Sequence, residues 1–363
     1  MENDIRYHQR SLNPVLRLIR SVGVAAIALA VLTRTPVHAE DLVYARLGDY
    51  LESLRQQLGI PGLAAAVVGR NGILWERKYG YQDIERALPM RGDTPMHVDG
   101  LTEMFTAALT LRCVEEGRLS LEDRIGQFRP SSPDANVTLR QALTHNVGSN
   151  GTPSFSYRPD RLAELAPAIR ACTNDSYRET LANLMDSQAM INSVPGQDVV
   201  LLAPPAEGIL TPAVERYREI LGRLAVPYAV DSQKRATATQ FTATALTSAT
   251  GLISTMDDLA QFDTALRNGI LLRPDTLAAA WRPAAGYPHG IGWFVQSYNG
   301  DSVVWQFGNS GTGSSSIWIT VPSRAVTFLA VANSNGLAKG FSLSNGDVTQ
   351  SPFARAFLGV FLP

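Results

Sequence analysis

The β-prone segments of this chain gather near its two ends, and that separation constrains its fold more than any other feature. Residues 62–83, "GLAAAVVGRNGILWERKYGYQD", hold two such runs flanking Asn71-Gly72, a dipeptide that supplies the positive φ angles of a tight hairpin. Four more, "GIGWFVQSY", "SVVWQFG", "SSSIWITV" and "AVTFLAVANS", follow one another late in the chain, joined by turn clusters such as Pro322-Ser323-Arg324. The stretch between reads as helix and loop. A sheet built from both chain ends around a mainly helical insertion follows, which makes the class α+β with antiparallel strands. The sheet parts are expected at about 40–97 and 285–363, and the helical part at about 98–284.

Periodicity places the helices. Residues 42–58, "LVYARLGDYLESLRQQL", carry an uncharged stripe at Leu47, Tyr50, Leu51 and Leu54. "PAVERYREILGRLA" and "STMDDLAQFDTALRNG" are strongly periodic, the second with Ser254 or Thr255 as its cap and Gly269 beyond its end. "SPFARAFLGVFL" predicts a last helix packing back on the sheet. "HVDGLTEMFTAALTL", residues 97–111, spaces Leu101, Phe105, Ala108 and Leu109 as one buried helical face that ends at Gly117.

Composition sets outer bounds. The 363 residues carry 32 basic and 33 acidic side chains with no basic cluster, so nucleic acid is not an expected partner. Arg10, Arg17 and Arg20 precede an apolar run from Val22 to Leu32, and Val37-His38-Ala39 supplies a small-residue cleavage site. Residues 1–39 are therefore expected to be an export signal, leaving residues 40–363 as one periplasmic or secreted domain. The apolar run falls well short of the roughly 20 residues that span a bilayer, so no stable membrane span is expected after cleavage. Cys113 and Cys172, the only cysteines, both fall in helical patterns and are expected as buried free thiols, a disulfide being the alternative. His97, His145 and His289 stand without ligand spacing, so neither a metal nor another cofactor is expected.

In this order the segments resemble the serine β-lactamase and penicillin-binding-protein-like family, in its class C and esterase-like branch. The hairpin at 62–83, "FTAALTLRCVEEGRLSLEDRI", "LRQALTH", "SATGLISTMDDLAQFDTAL" and "YPHGIGW" are similar to successive family landmarks. The resemblance implies a serine nucleophile starting the core helix, a lysine one turn later, a Y-x-N tyrosine loop and a K-T-G or H-x-G strand. It also implies an oxyanion hole of two backbone N–H groups.

The positions so implied are altered. Gly100 stands at the serine position and Glu103 at the lysine position. No S-x-x-K exists elsewhere, because Lys78, Lys234 and Lys339 are preceded at that spacing by Trp75, Asp231 and Gly336. "FSYRPDR" keeps Tyr157 but has Pro159 at the asparagine position, and "FGNSGTG" puts Asn309 where the cation is implied and keeps Gly311. The expected pocket is Gly100, Glu103, Tyr157, Pro159, Asn309, Ser310, Gly311 and Thr312, with backbone donors at Gly100 and Thr312. Tyr157 is the one vestige of the catalytic set, and His145 falls at a structural position. If Gly100 caps the helix, Glu103 is its N3 residue, where a carboxylate suits the helix dipole and bonds back to the cap. The expected function is that of an exported, catalytically degenerate relative that binds a cell-wall-derived or small acyl or peptide ligand. The alternative is a hydrolase of β-lactamase, D-alanyl-D-alanine peptidase or esterase type, its nucleophile replaced by Thr102, Ser149 or Ser310.

Overall fold

The structure, a computed structural model, describes residues 39–147, 154–202, 207–242 and 244–363. The expected export segment, apart from Ala39, and Ser149 lie outside the described residues. Ala39–Gln57 forms the first helix; Leu47 and Leu51 are fully buried, while Tyr50, expected on the same stripe, is 45% exposed.

The hairpin forms one residue earlier than expected: Arg70 and Asn71 make the turn that joins β1 (Gly62–Gly69) to β2 (Gly72–Asp83), and Gly72, already paired with Gly69, takes the positive φ alone. After the short β3 (Leu88–Pro89) and β4 (Met96–His97), the middle of the chain contributes β5 (Val194–Pro195), β6 (Tyr228–Val230), β7 (Ala236–Ala238) and β8 (Leu252–Ser254). The late strands are β9 (Phe294–Tyr298), β10 (Asp301–Asn309), β11 (Ser315–Val321) and β12 (Val326–Ala332). The seven-stranded sheet runs β3-β2-β1-β12-β11-β10-β9, all antiparallel, so the two chain ends meet where β1 pairs with β12. Every residue of β1 is buried. Its alanines Ala64, Ala65 and Ala66 leave room for helices to approach both faces of the sheet, so β1 shows none of the in-out alternation of a half-exposed strand. On one face Arg267, in the helix Met256–Arg267, donates to Gly69 O at 2.7 Å, and Asp263 of that helix accepts Trp318 Nε1–H at 3.0 Å. Elsewhere on the sheet the last helix, Pro352–Phe361, stacks Phe357 on Phe328.

The core helix Thr102–Glu115 is buried at Thr102 through Leu111 and again at Cys113. A second small sheet, β4-β8-β5, takes β5 and β8 from the expected helical part and was not legible in the sequence. It fixes the helix entrance, because Val98 N–H, just past β4, donates to Leu252 O at 3.1 Å.

The two cysteines correct the sequence reading: Cys113 and Cys172 are joined in a disulfide. The helix Ala166–Thr173 packs on the core helix and brings the two Cα atoms to 6.1 Å, within disulfide reach. Periodicity put each thiol on a buried face but carried no information that the two faces meet.

Candidate functional site

The core helix starts from a tight turn. Leu101 N–H donates to Val98 O, Asp99 takes a left-handed φ of 49°, and Thr102 Oγ1 donates to Asp99 O at 2.7 Å. No side chain caps the helix, whose first residue is Thr102. Glu103 is thus neither an N3 residue nor a capping partner. It turns inward instead, fully buried. The expected capping role is corrected: the cap position falls on Leu101, one residue later than that role needs, and the Glu103 carboxyl meets Tyr157, His145 and Gln306 in the interior.

β10 closes on Gly100. A Cβ built there would stand 2.5 Å from Phe307 O, 3.3 Å from Tyr157 Oη and 3.4 Å from Gly308 Cα. A backbone carbonyl inside a sheet has little freedom to yield, so Gly100→Ser is expected to destabilise the protein by about 1–3 kcal/mol through overpacking. A urea midpoint unchanged by the substitution would show that the strand retreats at no cost.

Three donors converge on Glu103. Tyr157 Oη lies 2.7 Å from Oε1, while His145 Nε2 and the Gln306 amide lie 3.4 Å and 3.3 Å from Oε2. Burial pushes the Glu103 carboxyl up to about 8, opposed by the bond to Tyr157. The Tyr157 hydroxyl is driven well above its ordinary range by burial and by the neighbouring carboxyl. His145 is pulled down to about 3, first by burial and then by the Arg161 charge, and is therefore neutral. It packs edge-on against His289 with ring centroids 4.7 Å apart.

These groups border a cavity of about 360 Å³. Of the expected residues, Gly100, Glu103, Tyr157, Pro159, Asn309 and Ser310 line it, and Gly311 and Thr312 do not. The chain turns away after Ser310, whose hydroxyl is tied to the Thr312 and Ser314 carbonyls, and Asn335 holds Gly311 O at 2.6 Å. A Cβ on Gly308 would stand 2.9 Å from Gly100 N, and Thr312 does not line the cavity, so the expected pair of backbone donors is not assembled there. Asn309 is exposed and accepts Gly311 N–H on its own Oδ1. The strand residue that faces Tyr157 is Phe307, with ring centroids 5.3 Å apart.

Sequence reasoning missed Phe307, Asp99 and Asp160 on the wall. Asp99 directly precedes Gly100, and that adjacency was the available signal. Burial pushes its carboxyl up to about 6 against a hydrogen bond from Ser314 Oγ at 2.8 Å. Among the described residues no lysine, arginine or histidine lines the cavity. Of the replacement nucleophiles, Thr102 is fully buried and lies within 3.3 Å of Leu252 N–H, and the Ser310 hydroxyl is tied up as above. No group of His, Cys, Asp and Glu among the described residues could hold a metal ion. A larger cavity of about 580 Å³ lies beside Arg178, but that guanidinium is already paired with Asp198 at 2.7 Å and Glu207 at 2.9 Å.

The fold, with this cleft at the head of its core helix, has clear relatives. The family model described as Beta-lactamase matches residues 47–188 and 201–347. The chain belongs to the beta-lactamase family, whose members are serine hydrolases in type. It is 34% identical over 112 residues to Esterase EstB of Burkholderia gladioli, covering 29% of this chain and 28% of that protein. It is 24% identical over 134 residues to Protein flp of Staphylococcus aureus, covering 34% of this chain and 27% of the relative. The matched segments thus span little more than a quarter of these relatives' length. Among solved structures, the octameric penicillin-binding protein homologue from Pyrococcus abyssi superposes with a TM-score of 0.70 at 17% identity, covering 87% of this chain and 77% of that one. A class C beta lactamase from Rhodobacter sphaeroides superposes at 0.67 and 16%, covering 87% and 98%. At such identities the likeness establishes the fold.

Proposed function

We propose that this beta-lactamase-family protein is exported and acts by binding a ligand in the cleft, without covalent acyl transfer. The observation that carries this reading is Gly100: it has no atom to acylate, and β10 occupies the space a side chain there would need. Loss of the nucleophile alone costs about a millionfold in turnover in serine enzymes. Glu103 in place of a lysine removes the cation that the family mechanism sets beside the tyrosine. The names of the relatives, which include an esterase and penicillin-binding-protein homologues, favour a cell-wall-derived or small acyl or peptide ligand. Export is supported by the signal-like N-terminal sequence and by the Cys113–Cys172 bond, since disulfides persist in oxidising compartments.

Intact-mass spectrometry of the native protein incubated with a labelled penicillin tests both parts. The expected spectrum begins at Glu40 and carries no adduct. An adduct mapped to Ser310, or to any other cleft hydroxyl, would establish the replaced-nucleophile hydrolase instead. A mass that retains residues 22–32 would refute export.

A further inference from the structure

The direction of the hydrogen bonds around Glu103 fixes what the cleft has left to offer a ligand. Tyr157 gives its hydrogen to Glu103 Oε1 at 2.7 Å, while His145 Nε2 and the Gln306 amide take up Oε2. The protein thus occupies both carboxyl oxygens itself. A phenol has one hydrogen to give, so with that hydrogen spent on Glu103 the Tyr157 oxygen can only accept from a molecule in the cleft. The wall hydroxyls of Ser310, Thr242 and Thr247 already donate to backbone carbonyls.

Asp99 is the second acceptor. It lines the cavity with only 5% of its surface exposed, and its φ of 49° is a left-handed value that few residues besides glycine, asparagine and aspartate adopt. Ser314 Oγ donates to its Oδ2 at 2.8 Å, and among the described residues no donor reaches Oδ1. A buried carboxylate oxygen without a partner costs free energy until something brings it a donor. Gly100, next in the chain, keeps the two acceptors close, since a Cβ there would stand 3.3 Å from Tyr157 Oη. Asp160 stands on the same wall, its charge shared with Arg158, and among the described residues no basic side chain does.

We infer that the cleft takes a ligand bearing a primary ammonium group, which donates to Asp99 Oδ1 and to Tyr157 Oη. Such a group brings both things the wall lacks, a positive charge and N–H donors. Phe307, Pro159 and Ala163 supply apolar surface for the carbon skeleton beside it. Burial raises the Asp99 carboxyl only to about 6, so it is ionised at neutral pH. A ligand whose only charge is a carboxylate would meet like charge with no cation to offset it. This ligand class rests on the non-covalent reading above and narrows it to amine-bearing molecules.

The probe is benzylamine, protonated at neutral pH, with benzyl alcohol and benzoate as its neutral and anionic counterparts on the same ring. Isothermal titration of the unmodified protein is expected to rank benzylamine first and benzoate last. The amine should bind roughly ten- to a hundredfold tighter than the alcohol, the range of a hydrogen bond to a charged group. Asp99→Asn keeps a residue type suited to the left-handed turn and an acceptor for Ser314, but loses the charge; it should bring benzylamine down to the level of the alcohol. Tyr157→Phe should weaken benzylamine about fivefold, as suits a hydrogen bond to a neutral oxygen. The three-probe ranking needs no variant, so it decides the matter even if Asp99→Asn fails to fold. No binding at millimolar benzylamine, benzoate bound as tightly as the amine, or a folded Asp99→Asn that binds the amine unchanged would each overturn the ammonium site. The two readings fail differently: a penicillin adduct overturns non-covalent binding, whereas ring probes bound without regard to charge overturn only the ammonium site.

Discussion

Replacing Cys113 and Cys172 together by alanine is expected to destabilise the protein by about 4 kcal/mol. The bond closes a loop between residues 59 apart in sequence, and in the chain-entropy account a loop of that length removes roughly that much freedom from the unfolded state. The thiols themselves are small and buried, so their truncation adds little to the loss. The effect should reach the cleft, because the loop so closed contains Tyr157 and His145 and is anchored at one end on the core helix that carries Glu103. Urea melts of the oxidised protein, the reduced protein and the double variant measure it. Reduced protein and double variant should agree, both well below the oxidised form. A loss under about 1 kcal/mol would mean that the unfolded chain keeps this loop ordered without the bond.

The second large effect is pH-dependent. Glu103→Gln is expected to gain on the unmodified protein as pH rises, by up to about 4 kcal/mol between pH 5 and 8.5. Glu103 is fully buried and its carboxyl is raised from an ordinary 4.5 to about 8. In that window the folded protein keeps a proton that the unfolded chain has released. Stability therefore falls with rising pH, by about 1.4 kcal/mol per unit, until the folded group also ionises. Glutamine has no proton to lose and escapes the slope. Asp99 and Asp258, also raised to about 6 by burial, are common to both proteins and cancel in the difference. Urea midpoints at pH 5, 7 and 8.5 decide it. A gap between the two proteins that stays constant would show that the three donors around Glu103 outweigh its burial.

Much of the frame was legible because it rests on local signals. The hairpin turn falls within one residue of Asn71-Gly72, Thr255 accepts Asp258 N–H as the N-cap of its helix, and Gly269 takes a positive φ beyond that helix's end. Each outcome depends on a few neighbouring residues, which is why periodicity and turn chemistry found it. The short strands of the small sheet were not legible: two or three residues carry no period, and their pairing is set by segments far apart in the chain. The site was legible as positions. Gly100, Glu103, Tyr157, Pro159, Asn309 and Ser310 all line the cleft, while Gly311 and Thr312 leave it where the turn after β10 folds back.

By itself the sequence determined the class of fold, the meeting of both chain ends in one sheet, and the absence of a serine and lysine from the head of the core helix. Those follow from residue identity and short-range pattern. Only the tertiary structure decided what the altered residues do. Packing closed β10 on Gly100, turned Glu103 from the expected capping carboxylate into a buried carboxyl that accepts from Tyr157, and brought Cys113 and Cys172 together. Proton affinity and bond formation depend on solvent exclusion and on distances between elements remote in sequence, and these exist only once the chain has packed.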